Sequence, residues 1–440
     1  MRIGFVPIDN RPVCYTLPKQ IAEIDDNIEL FLPKREWLGD LTKYANTEEL
    51  FKWLQDLPKL DAIIISLDTI AYGGLISSRR SNSSFEEIKA RVENLKNILS
   101  TKDAKIYAFS SIMRISNNNI NEEEKEYWAQ YGKKIFNYSF YMDKFGTICK
   151  KEVPDDILDD YLNTRKRNFE INKLYLEWQK EGFFETLVFS KDDCAEHGFN
   201  VQEAKTLENL GGFVKTGADE IPLTLLARAI TGNIKIAPIF LEPEHKNLIS
   251  NYEDISIEKS VLGQLELAGC EVTDPDSADI LLFINNFIDH QGEIVMDVPT
   301  KPFDKTWTSP NKAYIIADVR FANGADNNLV KQFQPFDDQF YGYSAWNTSA
   351  NTLGSLICAA KTKFLANKYN HEAFLKLQTT RLLDDWAYQA NVRQDRPNLD
   401  ELNYKMKSFE KKVAHLIKKE YNISYKFPWN RLFEVEIEFN

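Results

Sequence analysis

Apolar and polar positions alternate along this chain on a recurring scale. Short apolar runs of four to eight residues are separated by amphipathic stretches. The first run, "RIGFVPI", leads into "LPKQIAEI" and then "IELFLP". "DAIIISL", the long helical pattern "SFEEIKARVENLKNIL" and "AKIYAFSSI" follow. Further runs are "TLVFS", "GFVKTG", "IKIAPIFL", "DILLFIN", "KAYIIAD" and "QFYGYSAW". They are rich in β-branched and aromatic residues, as strands buried on both faces should be. Repeated strand–helix–strand order predicts mostly parallel sheets with right-handed crossovers. The fold class expected is therefore α/β, as two adjoining doubly wound units. An elaborated (β/α) barrel is the alternative, although the candidate strands outnumber the eight it requires.

Two segments break the rhythm. Residues 117–182 are long, helical and rich in Tyr, Trp, Lys and Glu, and read as an insertion between two strands. Residues 361–440 are mainly helical and close with "KFPWNRLFEVEIEF", whose final alternation predicts an edge strand. The expected organisation is an N-terminal α/β unit over 1–235 containing that insertion, a second α/β unit over 236–360, and a helical region over 361–440.

Composition narrows the class. The 440 residues are 43% hydrophobic and 27% charged, a globular balance with enough chain for two or three domains. The net charge of −12 argues against a nucleic-acid or anionic-membrane surface. No apolar stretch reaches the ~18 residues of a membrane span. The first apolar run is too short for a signal-peptide core, so a cytoplasmic location is expected. The five cysteines are odd in number and form no C-x-x-C pair, which suits a reducing compartment and removes a thiolate zinc site.

The candidate chemistry lies at strand ends. Asp9 follows "FVPI", Asp68 follows "IIISL", Asp192 and Asp193 follow "TLVFSK", Asp219 and Glu220 follow "VKTGA", and Asp318 closes "YIIAD". Arg114 follows "AFSSIM". In parallel α/β folds such positions share one sheet edge, where ligands bind. Helix capping is the competing explanation. Better-placed caps exist for most of them: Asn200 with Glu203, Ser83 or Ser84 with Glu86 or Glu87, Thr16, and Asp326. Asp219 alone resembles a cap. Arg11, Arg79, Arg320, Asn323, Trp346, Asn347 and Asn351 fall near the same strand ends. An aromatic ring beside amides, carboxylates and arginines suits a polar ring such as a sugar.

Several stretches resemble bacterial proteins of the domain of unknown function 4127 family. They are "PIDNRPVCY", "SLDTIAYGGLISSR", "AFSSIMR", "RKRNFEIN", "FSKDDCAEHG", "TGADEIPLTLLAR", "NGAD" and "YGYSAWNTSANTLG", spanning about 7–353, with "FPWNRLFE" beyond. The resemblance implies that these stretches form one site, and it names no reaction.

Three functions fit the residues. The first is a glycoside hydrolase in which paired aspartates divide the work. Adjacent aspartates on one loop resemble the pair of substrate-assisted N-acetylhexosaminidases. That likeness makes Asp192 the orienter of a substrate acetamide and Asp193 the acid, with Trp346, Asn347 and Arg114 as sugar contacts and no cofactor. The second is a Mg²⁺ or Mn²⁺ hydrolase using Asp9, Asp68, Asp192 and Asp318 as oxygen ligands. Of five histidines, His197 alone lies near a candidate strand end, which disfavours zinc. The third is a non-catalytic cytoplasmic protein that binds a polar metabolite. Nucleotide-binding and serine-hydrolase motifs are absent. The partner expected is a small polar molecule, a sugar in the first reading.

Overall fold

The computed structural model describes residues 1–147, 152–192 and 194–440. Asp193 lies outside the described residues. The chain forms two compact units. The first comprises Met1–Tyr15, Glu29–Pro222 and Tyr252–Asp254. The second comprises Thr16–Ile28, Leu223–Asn251 and Ile255–Asn440. Among the described residues no helix is long and apolar enough to cross a membrane.

The first unit is built on a six-stranded, wholly parallel sheet. Its strands are β1 (Arg2–Val6), β2 (Glu29–Phe31), β3 (Ala62–Ser66), β4 (Lys105–Ile112), β5 (Thr186–Lys191) and β6 (Phe213–Thr216), in the order β2-β1-β3-β4-β5-β6. The order reverses between β1 and β3, which marks a doubly wound sheet and its switch point. Every residue of β3 and β5 is buried, as the unbroken apolar runs predict.

Eight helices begin in or around this sheet: α1 (Pro12–Ala22), α2 (Thr47–Asp56), α3 (Leu67–Ala71), α4 (Leu75–Arg80), α5 (Phe85–Ser100), α6 (Trp128–Phe145), α7 (Asp155–Lys180) and α8 (Phe199–Asn209). One core joins Leu50 and Leu54 of α2, Ile88, Val92 and Leu95 of α5, and Ile171 and Tyr175 of α7 to Ile63, Ile65 and Phe189 of the sheet. Truncating one such isoleucine to alanine costs about 2–5 kcal/mol. Helices α6 and α7 fall within residues 117–182, and a satellite core gathers around Trp128, Ile135, Leu158 and Tyr161.

The second unit repeats the same strand order. It contains α9 (Ile221–Ala229, beginning in the first unit), β7 (Lys235–Phe240), α10 (Ile257–Leu267), β8 (Glu271–Val272), β9 (Ile280–Asn285), β10 (Gly292–Glu293), β11 (Tyr314–Asp318), β12 (Phe321–Ala322), α11 (Asn327–Val330), β13 (Phe340–Ser344), α12 (Ser349–Leu365), α13 (His371–Arg381), α14 (Leu399–Ile417), β14 (Ile423–Lys426) and β15 (Glu436–Phe439). Its main sheet runs β13-β11-β9-β7-β8, again all parallel, and reverses between β7 and β9. The final alternation is strand β15, which pairs antiparallel with β14 in a separate two-stranded ribbon. Both main sheets are open, so the fold is two doubly wound α/β sheets rather than a barrel. Between α13 and α14, Leu382–Val392 coils as a π-helix, a rare form that recurs at functional sites.

Two expected caps differ. Thr16 lies inside α1, which starts at Pro12; Pro is suited to the first helical position because it has no N–H to satisfy. Asn200 lies inside α8, whose N-cap is Gly198. The first amides of α8 are satisfied by the insertion instead: Gly198 N–H donates to Asp143 (2.9 Å) and Phe199 N–H to Ser139 Oγ (2.8 Å). Glu203 turns to Arg165, 2.7 Å away. Local spacing suggested a capping box there, and a long-range contact from α6 took its place. The box at Ser84 and Glu87 and the Asp326 cap are present.

Candidate functional site

The parallel registers place the carboxyl ends of β1, β3, β4, β5 and β6 along one edge of the first sheet. Asp9 follows β1 and is buried. It accepts hydrogen bonds from Arg11 N–H (2.9 Å) and Arg11 Nε (2.9 Å). The same guanidinium grips Asp219, after β6, with Nη2 at 2.6 Å and Nη1 at 3.1 Å. Two carboxylates and one arginine thus form a buried triad. Burial raises the Asp219 carboxyl above its ordinary value; Arg11 opposes this and Asp9 adds to it.

Asp68, at the start of α3, is 1% exposed. It accepts from Ser111 N–H at 2.8 Å and lies 3.4 Å from Ser110 Oγ. Burial pushes it up to about 6, against the lowering effect of these donors. Ser110 Oγ also donates to Asn172 of α7 at 2.7 Å. Thr69 Oγ1 donates to Pro7 O at 2.6 Å, tying the end of β3 to the end of β1. Glu220 is buried beside Asp219, takes the Ala218 N–H at 3.0 Å, and is pushed up to about 8 by burial.

The insertion closes the other side of this network. Arg114, after β4, contacts Glu123 (2.9 Å), Glu124 (3.3 Å) and Asp192 (3.4 Å). Arg79 meets Glu124 at 3.1 Å and Glu123 at 3.3 Å. Arg79 and Glu124 side chains are 2% and 6% exposed, whereas Asp192 and Glu123 are 22% and 24% exposed. Asp192 combines two properties: a solvent-reachable carboxyl, and a proton affinity raised by burial. Arg114 opposes that rise, and the Asp219 charge adds to it. Asn168 of α7 donates to Ser78 O at 2.9 Å, so both asparagines of "RKRNFEIN" serve this edge. Cys194 is buried and accepts from Asn200 Nδ2 (3.5 Å). His197 pairs with Asp143 of α6 at 3.1 Å.

Among the described residues, Asp9, Cys14 and Asp219 offer ligand atoms within 4.8 Å of one another, a metal-like spacing. The donor set does not fit Mg²⁺ or Mn²⁺. Such hard ions prefer oxygen cages, and Cys14 supplies sulfur. Arg11 Nη2, moreover, stands 2.7 Å from Asp9 and 2.6 Å from Asp219, already placing a cation between the carboxylates.

The remaining sequence candidates belong to the second unit. Asp318 ends β11 fully buried, accepting from Asn285 Nδ2 (2.8 Å), Asp326 N–H (2.8 Å) and Tyr343 Oη (3.1 Å). Burial, then Asp326, pushes it up to about 7. Arg320 is also fully buried and donates to Asn285 Oδ1 (2.9 Å), Lys301 O (3.0 Å) and Glu242 (2.8 Å). Asn323 and Asn347 both adopt left-handed backbone and are joined by Asn323 N–H to Asn347 O at 2.8 Å. Trp346 is 2% exposed with its ring edge-on to Phe433, the setting of a core ring rather than an open stacking face. Asn351 is buried at the first turn of α12, its Nδ2 on Thr348.

Sequence reasoning missed a second aspartate pair. Asp384 and Asp385 lie buried on the π-helix, facing Arg381 at 3.3 and 3.2 Å. Asp385 accepts Ala345 N–H (2.7 Å) at the end of β13, and burial pushes it up to about 7. A Cβ on Gly324 would lie 3.0 Å from Ala390 N, and its φ is +149°, so glycine permits this close approach. The adjacent "DD" was a visible signal, but it lies in a helical stretch rather than at a strand end. Glu242 was overlooked although it follows β7 as the other candidates follow their strands. Glu123 and Glu124 sat in a charge run, "NEEEK", that local pattern assigns to solvent.

No curated protein matches the sequence. The sequence profile of one family matches residues 3–438, nearly the whole chain, and the chain therefore belongs to the proteins of unknown function designated DUF4127.

Proposed function

We propose that this protein is a glycoside hydrolase of the bacterial cytoplasm, acting on N-acetylated sugars through the strand-end carboxyls of its first unit. The observation that carries the reading is Asp192. A general acid must reach the substrate and hold a proton near neutral pH. Asp192 is 22% exposed at the rim of a partly buried carboxylate–arginine network, and burial raises its proton affinity, the direction an acid needs, although Arg114 opposes it.

Asp192 therefore takes the acid role and its neighbour Asp193 the orienting role, the reverse of the assignment suggested by the two-residue likeness. The acid gives its proton to the leaving oxygen as the substrate's acetamide oxygen attacks the anomeric carbon. Water then opens the cyclic intermediate and the carboxyl regains its proton. Arg114, 15% exposed and in contact with Glu123, Glu124 and Asp192 among the described residues, would fix the acid and meet a sugar hydroxyl. No cofactor enters this scheme. The net charge of −12 fits a small neutral partner better than nucleic acid or a membrane surface.

The test is turnover of a panel of 4-nitrophenyl glycosides, with and without 2-acetamido groups, in EDTA. Hydrolysis of the acetamido sugars in EDTA is the expected result. Activity restored only by Mg²⁺ or Mn²⁺ would favour the metal alternative. A raised melting temperature without turnover would favour a binding protein.

A further inference from the structure

A cavity of about 450 Å³ opens at the amino-terminal edge of the second sheet, where β13 begins, opposite the edge that holds Asp318. Its size lies within the ~300–1,000 Å³ of small-molecule sites. Its apolar side is aromatic: the partly exposed Phe336 stacks on the buried Phe340 with centroids 3.7 Å apart, and the buried Phe374 backs them edge-on to Phe340.

Lys363 of α12 reaches into this setting half-buried. Its Nζ lies 4.0 Å from the Phe374 ring centroid and 4.2 Å from that of Tyr341, and it donates to Phe340 O at 2.7 Å. The aromatic faces favour the charged ammonium. Among the described residues it has no carboxylate in ion-pair contact. Asp337 and Asp338 instead stand exposed on the rim, in the turn that leads into β13. The pocket thus presents charges of both signs beside an aromatic wall, with none of the described carboxylates in direct contact with the lysine. Burial lowers the lysine to about 8, while Asp338 and Asp337 oppose the shift. An anion reaching Nζ would offset the hydration that burial removes.

We propose that this pocket binds a small zwitterion with an aromatic body, such as a free aromatic α-amino acid, with its carboxylate on Lys363, its ammonium at Asp337 and Asp338, and its ring against Phe336. The site belongs to the second unit and does not depend on the glycosidase reading.

Isothermal titration of the full chain with L-phenylalanine, 3-phenylpropanoate and 2-phenylethylamine tests it. L-phenylalanine should bind, and each analogue lacking one charge should bind at least tenfold more weakly. Lys363→Met, with its fold checked by circular dichroism, should abolish the phenylalanine heat. Asp337→Asn with Asp338→Asn should weaken phenylalanine but not 3-phenylpropanoate. No heat with phenylalanine, or both analogues binding as tightly as it does, would overturn the proposal. So would unchanged binding by Lys363→Met.

Discussion

Arg11 holds Asp219 by two parallel hydrogen bonds, 2.6 and 3.1 Å long, across 208 positions of sequence. The fork geometry of the guanidinium allows this while Nε serves Asp9. The carboxyl ends of β1 and β6 are thereby locked within the first unit.

Removing the arginine leaves two buried carboxylates without their cation. Arg11→Met should destabilise the first unit by about 3–5 kcal/mol, the usual consequence of breaking a buried ion pair from one side. Arg11→Lys keeps the charge and loses the fork, so its loss should be intermediate. Urea unfolding followed by tryptophan fluorescence measures both. Unchanged midpoints would mean that the triad contributes nothing.

Glu220 gives a pH signature. Its carboxyl is raised from 4.5 to about 8, so between those values the folded chain retains a proton that the unfolded chain has released. This contribution to stability is fully present below pH 4.5 and is lost as pH rises through 8. The slope for one such proton is about 1.4 kcal/mol per pH unit. Glu220→Gln has no proton to lose. Its stability relative to the parent should climb with pH across that window. Denaturant midpoints at pH 5, 6.5 and 8 decide it, and parallel profiles would contradict the assignment.

Much of this architecture was legible from local pattern. The buried strands announced themselves as apolar runs because both faces of a parallel sheet are covered. Asp9, Asp68 and Asp219 could be placed because parallel strands share one carboxyl edge. What local pattern could not carry was partnership across distance. Asn200 and Glu203 have capping-box spacing, yet Ser139 and Asp143 supply the cap and Arg165 takes the glutamate. Glu123 and Glu124 look like solvated charge until Arg79 of α4 and Arg114 after β4 meet them. Trp346 reads equally as a sugar platform or a core ring, and its burial is settled by packing.

In the second unit, Asp385 links the π-helix to β13 through Ala345 N–H and Ser344 Oγ and also faces Arg381. Asp385→Ala should therefore cost about 3 kcal/mol or more, since it strips a buried arginine of one counter-charge and orphans a backbone amide. Thermal unfolding by calorimetry should show a lowered transition. A variant as stable as the parent would show that the π-helix is held by its apolar residues alone.

The central claim rests on Asp192, and one comparison tests it most directly: turnover of 4-nitrophenyl 2-acetamido glycosides by the parent protein and by Asp192→Asn, in EDTA near neutral pH. Loss of general acid catalysis is worth about 10²–10⁴-fold. The variant should fall by about that factor, and its circular dichroism and unfolding midpoint should stay unchanged, because a partly exposed strand-end carboxyl contributes little to the core. Asp193→Asn should also lose activity, chiefly on the acetamido substrates. Full activity in Asp192→Asn, or a parent protein that hydrolyses none of these glycosides, would contradict the account.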